Sequence, residues 1–331
     1  MTALLFTQFI DFNCNHYIIN AFRKHAKNKE DTYTMNIGEF AALGTALCWS
    51  VGSIFFTIAS RRIGSTIVNR LRLLLALIFL FGLQLILRKT VMPWQASTPD
   101  LMWFGVSGII GFAIGDNFLF RAFVILGPRK TMLIMSLVPV FGVLLAWFFM
   151  HEIIGPLKII AIIITLLGVA WVILGQKNDT TGKGSFVEGL GMALGGALCQ
   201  ALGLLLSKKG LATGLDVVSG NAIRIFVAVL IVWFFSAIKG NTGQSFQRLT
   251  DRKAALGVVG GAIFGPFFGV TLSLVAIQHT YIGIASTIMA LPPIFLIPLS
   301  RLVFKEKITL PAVAGTIVAI FGVALIFLLP S

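Results

Sequence analysis

Apolar residues run along this chain in blocks of about twenty, the length that spans a bilayer as a helix. Short polar breaks separate them, and few blocks carry the polar face that a water-exposed helix needs. The blocks fall at 37–58, 65–87, 101–123, 131–149, 157–174, 188–207, 217–238, 254–277, 283–303 and 310–329. The longest polar interruptions are "GQKNDTTGKGSF" (175–186) and "KGNTGQSFQRLTDRK" (239–253). The pattern predicts an all-α integral membrane protein with ten transmembrane helices.

Composition agrees. Of 331 residues, 57% are hydrophobic and 11% charged, and the mean hydropathy is +0.95. Soluble domains carry about 25% charged residues, so lipid must be the solvent for much of this chain. The net charge of +14 marks no nucleic-acid surface, because the Lys and Arg sit mainly in short loops and form no basic stripe alternating with aromatics. Cys14, Cys48 and Cys199 form no CxxC pair or disulfide framework.

Self-similarity divides the chain. "GTALCW" (44–49) matches "GGALCQ" (195–200), "NRLR" (69–72) matches "NAIR" (221–224), and "LVPVF" (137–141) matches "LPPIF" (291–295). "HEI" (151–153) falls opposite "KEK" (305–307), and "GVAWVI" (168–173) opposite "GVALIF" (322–327). The offset is 151 at the first match, 152 at the second and 154 thereafter. Residues 35–178 and 187–331 are thus two five-helix repeats. Five is odd, so the second repeat enters the membrane inverted, the architecture of many secondary transporters.

Lys and Arg fix the expected orientation. Loops after odd-numbered helices hold Arg61, Arg62, Arg129, Lys130, Lys239, Arg301, Lys305 and others, whereas even loops hold only Arg88, Lys89, Lys158, Lys208 and Lys209. Odd loops are expected in the cytoplasm and both termini outside, in a bacterial inner membrane. Arg23, Lys24, Lys27 and Lys29 oppose this. Met35 opens "MNIGEFAALGTALCWSV" just before the first helix, so residues 1–34 read as an upstream extension absent from the natural product. An interfacial helix using Phe6, Phe9, Phe12 and Ile18 is the alternative.

The stretch "GDNFLFRAF" (115–123) places Asp116, Asn117 and Arg121 inside an apolar, glycine-rich helix. At 100° per residue they fall at about 0°, 100° and 140°, while Gly105, Gly108, Gly111 and Gly115 fall between about 220° and 340°. The glycines suit close packing, and the polar arc, costly in lipid, is expected to face a central cavity or a paired side chain. The matching stretch "GPFFGVTLS" (265–273) has no charge. Two readings stand: a structural pair of Asp116 with an arginine, or contact with a substrate or proton, which the one-sidedness favours. Such an acid offers proton coupling.

Arg72 and Arg224 lie about 12 Å inside their helices. Snorkelling to the surface is the favoured reading and a cavity-facing pair the other. Trp49 and Gln200 occupy equivalent positions, one aromatic and one amide, as candidate substrate contacts. Pro139 and Pro293, read as mid-helix kinks, and the neighbouring Ser136 and Ser286 are candidate gate or cavity residues. Glu152 and Glu306 read as loop anchors.

These motifs resemble the EamA family of the drug/metabolite transporter superfamily. The likeness rests on "SLVPVFGVLLAWFFMHE" followed by "GVAWVI", and on "ALPPIFLIPLSRLVFKEKIT" followed by "GVALIF". "GDNFLFRAFVILGPRKT" is similar to a motif of one bacterial subgroup. The resemblance covers residues 36–329 and implies a permease or exporter of small metabolites, often amino acids. No Walker motif is present, and "HE" at 151–152 lacks the second histidine of HExxH. Neither a cofactor, a metal nor an enzymatic activity is expected. The expected partners are a small-molecule substrate and the lipid bilayer. The rival readings are a passive channel and, further off, a lipid-modifying membrane enzyme.

Overall fold

A computed structural model describes residues 31–91, 96–150, 155–175, 185–280, 282–306 and 308–328. Most of the 1–34 extension, His151 and Glu152 lie outside the described residues. Those described form helices and connections, with no strand among them. The helices are α1 (Asp31–Ile63), α2 (Ser65–Arg88), α3 (Thr98–Leu126), α4 (Pro128–Met135 and Val138–Met150) and α5 (Pro156–Gly175). The second repeat gives α6 (Phe186–Leu211), α7 (Val217–Ile238), α8 (Arg252–His279), α9 (Ile282–Met289 and Pro292–Phe304) and α10 (Leu310–Leu328). Among the described residues nine spans are long and apolar enough to cross a membrane; the apolar stretch of α10, Leu310–Ile326, is shorter.

The prolines correct the kink reading. Pro139 and Pro293 are each the second residue of a new helical segment, after breaks at Ser136–Leu137 and Ala290–Leu291. A first-turn proline sacrifices no helical hydrogen bond, since its N–H would have had no partner there. Ser136 donates its hydroxyl to the Leu133 carbonyl at 2.6 Å, closing the end of the preceding segment.

Both repeats interrupt their third helix at matched positions. A π-helical stretch spans Ile109–Gly115 in α3, and another spans Ile263–Phe267 in α8, their first residues 154 apart. An i→i+5 stretch displaces the regular ladder and leaves carbonyls in need of donors. Asn69 Nδ2 donates to the Phe112 carbonyl at 3.1 Å, and Asn221 Nδ2 donates to the Pro266 carbonyl at 3.1 Å. These are the same contact made twice, by matched asparagines on α2 and α7. Pro266, inside the second stretch, contributes a missing N–H of its own.

The repeats interlock through those third helices: α3 packs against α6 and α7, and α8 against α1. Glycine sets the approach at Gly108, where an added Cβ would overlap the Arg224 carbonyl oxygen. The loop ends mirror this exchange. Asp100, in a capping box with Ser97, accepts from Thr213 beyond α6, while Asp251 caps α8 and accepts from Arg62 of α1 at 2.6 Å. Arg62, together with the backbone N–H groups at the start of α8, holds the Asp251 carboxyl below its ordinary range. Glu306 pairs with Arg129 at the start of α4 at 3.2 Å, another link between repeats. On the far side α5 lies along α10, and matched Gly168 and Gly322 each press on the other helix.

Candidate functional site

The centre of the molecule is built where α2 and α3 of the first repeat meet α6 and α7 of the second. Asp116 follows the π-helical stretch of α3, and Arg72 on α2 donates from Nη2 to its Oδ2. Gln200 on α6 donates from Nε2 to Oδ1 of the same carboxylate at 2.8 Å. Arg72 is held from behind by Asn69, whose Oδ1 accepts from Nε at 3.1 Å and from Nη2 at 2.9 Å. Its guanidinium stands 4.7 Å from the Phe120 ring centroid and 5.3 Å from that of Phe56, within cation–π range.

Arg224 on α7 occupies the matching place in the second repeat, and its environment differs. No acid pairs with it directly, because the position equivalent to Asp116 is Val270, and Asp116 itself acts on it only through space. Its guanidinium lies 4.6 Å from the Phe112 centroid, and its buried Nε has no hydrogen-bond partner. Among the described residues Arg224 makes no hydrogen bond or ion pair. Phe112 is thus shared by two arginines, the Arg72 guanidinium lying 5.9 Å from the same centroid. Asp116, Arg72 and Arg224 are each only 3% exposed. The snorkelling reading of Arg72 and Arg224 is thereby overturned: carboxylate and aromatic partners hold them inside, and their ends do not reach the surface.

The polar arc read from a regular helical wheel is not set opposite the glycines and meets no single environment. The π-helical stretch alters the rotation between the glycines and Asp116, so glycines and acid both approach α6. A Cβ on Gly115 would press on Cys199, the neighbour of the Gln200 that binds Asp116. Arg121 leaves the centre altogether and pairs with Glu188 of α6 at 2.9 Å, with side chains 44% and 34% exposed. Asn117 turns away from Asp116 as well. Its Nδ2 donates to the Ala113 carbonyl at 2.6 Å, and it lines a cavity between α2, α3 and α7.

The remaining candidates divide. Gln200 is brought to Asp116, whereas Trp49 packs against Gly269 of α8 and the surrounding core. Ser136 is buried at the break in α4; Ser286 is partly buried just before the break in α9. Pro139 and Pro293 start the segments after those breaks. Asn69 and Arg70 were missed as site residues, although "NRLR" and "NAIR" align both asparagines and arginines and leave Arg70 opposite Ala222. Among the described residues no three His, Cys, Asp or Glu side chains gather as a metal site.

Comparisons with known proteins agree with this architecture. The profile of the EamA-like transporter family matches residues 36–174 and 187–328, one match per repeat. An uncharacterized transporter from Clostridium kluyveri is 25% identical over 227 residues, covering 67% of this chain and 71% of its own. A crystal structure superposes with a TM-score of 0.59 at 15% identity, covering 88% of this chain and 96% of its own, a likeness of fold alone. With both repeats matched, the chain belongs to the EamA-like transporter family and is a multi-pass membrane transporter.

Proposed function

We propose that this transporter is a permease exporting a small metabolite with a carboxylate, such as an amino acid, by alternating access between its two repeats. The observation that carries the reading is Arg224: a buried guanidinium with no acceptor, beside a carboxylate already occupied by Arg72 and Gln200. Burying a charge without a partner is costly. A substrate carboxylate supplies the missing counter-charge, and guanidinium matches carboxylate with two parallel donors. Gly111 leaves the wall beside Arg224 bare: an added Cβ would already touch Arg224 Nη2 at 3.7 Å and Gln200 Oε1 at 4.0 Å, so room for the substrate opens only when the helices part.

The charge count suggests how loading and movement are coupled. The unloaded centre holds two guanidinium groups against one carboxylate, and a bound carboxylate neutralises it. A neutral centre is cheaper to enclose than a charged one, so the loaded carrier closes more readily. Because Arg224 is enclosed, substrate reaches it only when α3 and α7 separate on one side of the membrane. We assign ten crossings, with the second repeat inverted, in the inner membrane of a bacterium. Odd-numbered loops face the cytoplasm and both termini lie outside, following the distribution of basic residues. Export direction and amino-acid-like cargo rest on the family resemblance. Proton coupling through Asp116 is tested by collapsing the proton gradient during export.

The test compares metabolites released by cells expressing the intact protein, Arg224→Met, Asp116→Ala or nothing, at matched membrane levels. A carboxylate metabolite should accumulate outside only with the intact protein. Equal export by Arg224→Met overturns the assignment. Flux that never saturates and shows no counter-exchange would make the protein a channel.

A further inference from the structure

The cavity lined by Asn117 has a second, basic wall, and nothing in the central site uses it. A space of about 220 Å³ between α2, α3 and α7 adjoins one of about 270 Å³ between α2 and the segment after α7, and the two share Thr66, Arg70 and Lys239 as lining. Arg70 is 7% exposed, yet its only protein partner among the described residues is the Ser245 hydroxyl, 3.2 Å from Nη1. Its Nε is buried and unpartnered. Lys239 ends α7 at the same rim and forms no ion pair among the described residues. The remaining polar lining is neutral: Thr66, Asn117, Asn241 and Gln244. Two cations without a carboxylate, one nearly buried, make a built receptor for an anion.

Its surroundings say which kind. Arg70 lies about 8 Å along α2 from the helix start, at the end where α7 finishes, which is where a bilayer meets water. Below it the cavity is walled by Ile114, 44% exposed, and Phe235, 55% exposed, an apolar strip on the outer surface. A soluble anion has no use for such a strip; an acyl chain does. Buried Asn117 Oδ1 has no donor, so it can accept from a headgroup or glycerol hydroxyl. At the offset of 152 that relates α2 to α7, Arg70 is opposed by Ala222 and Lys239 by Leu87, so the receptor is built once.

We propose that this cavity binds an anionic glycerophospholipid, its phosphate on Arg70 and Lys239 and an acyl chain along Ile114 and Phe235. The site is separate from the central arginine and does not depend on the transport reading. Purified full-length protein in neutral detergent is titrated with phosphatidylglycerol, phosphatidylcholine or inorganic phosphate, and read by native mass spectrometry and thermal melting. Two basic contacts at roughly fivefold each should favour phosphatidylglycerol by about 25-fold. Lys239→Gln, at an exposed position that leaves the fold intact, should lose about fivefold of that preference, and Arg70→Gln the rest. Equal retention of both lipids, or undiminished preference in Lys239→Gln, overturns the site. Stabilisation by inorganic phosphate equal to that by phosphatidylglycerol overturns the lipid assignment, leaving a soluble-anion site.

Discussion

Removing charges one at a time from the central cluster should give an order of stabilities that no list of contacts would suggest. Among the described residues Asp116 is the sole carboxylate found against Arg72 and Arg224. Asp116→Asn leaves two buried guanidinium groups without a counter-charge. Breaking a buried pair by removing one partner costs about 3–5 kcal/mol. Arg72→Met is milder, because Asp116 keeps the Gln200 bond and the nearby positive charge of Arg224, so about 3 kcal/mol or less is expected. Arg224→Met removes a buried cation that makes no hydrogen bond, leaves the Arg72–Asp116 pair intact and keeps a long apolar stem against Phe112. Its stability should equal or exceed that of the parent. At about 2 °C per kcal/mol for a large chain, Asp116→Asn should melt about 6–10 °C lower, Arg72→Met about 6 °C lower or less, and Arg224→Met no lower. Fluorescence-detected melting of purified protein in detergent reads this order. Should Arg224→Met melt as low as Asp116→Asn, Arg224 is a structural member of the cluster and the substrate reading of that residue fails. Stable but inactive Arg224→Met is the expected pairing.

Two glycines on one helix should behave oppositely. Gly108→Ala forces a Cβ onto the Arg224 carbonyl and should lower the yield of folded protein, whereas Gly111→Ala meets only ordinary contacts and should fold normally but transport less, as read by export at matched membrane levels. Arg121→Ala should change stability by no more than about 1 kcal/mol and leave export intact, because an exposed pair with Glu188 is screened by water. Asp251→Asn should lower the melting temperature slightly at neutral pH. Arg62 depresses the Asp251 pKa, so this contribution is present above the ordinary aspartate value of about 3.9 and lost as pH falls through the lower folded value; the two proteins should therefore converge in acid melts.

The membrane setting, the repeats and the elements were legible in the chain because hydropathy and self-similarity are local properties of a sequence. The one-sidedness of Asp116 was legible too, since Val270 stands at its counterpart. The partners were not. Asp116, Asn117 and Arg121 share one regular helix and keep their angles of about 0°, 100° and 140°, but the π-helical stretch before Asp116 turns that arc relative to the glycines, and each of the three meets a different neighbour. Likewise the depth of Arg72 and Arg224 along their helices could not decide between surface and interior. That choice depends on which aromatic rings and carboxylates the opposite repeat brings alongside, and residues from helices distant in the chain meet only once the repeats interlock. That charges lie within apolar helices is readable from the order of residues alone. That Arg72 is paired with Asp116 while Arg224 has no direct partner follows from the packing of the two repeats, because a buried charge is defined by what surrounds it in space.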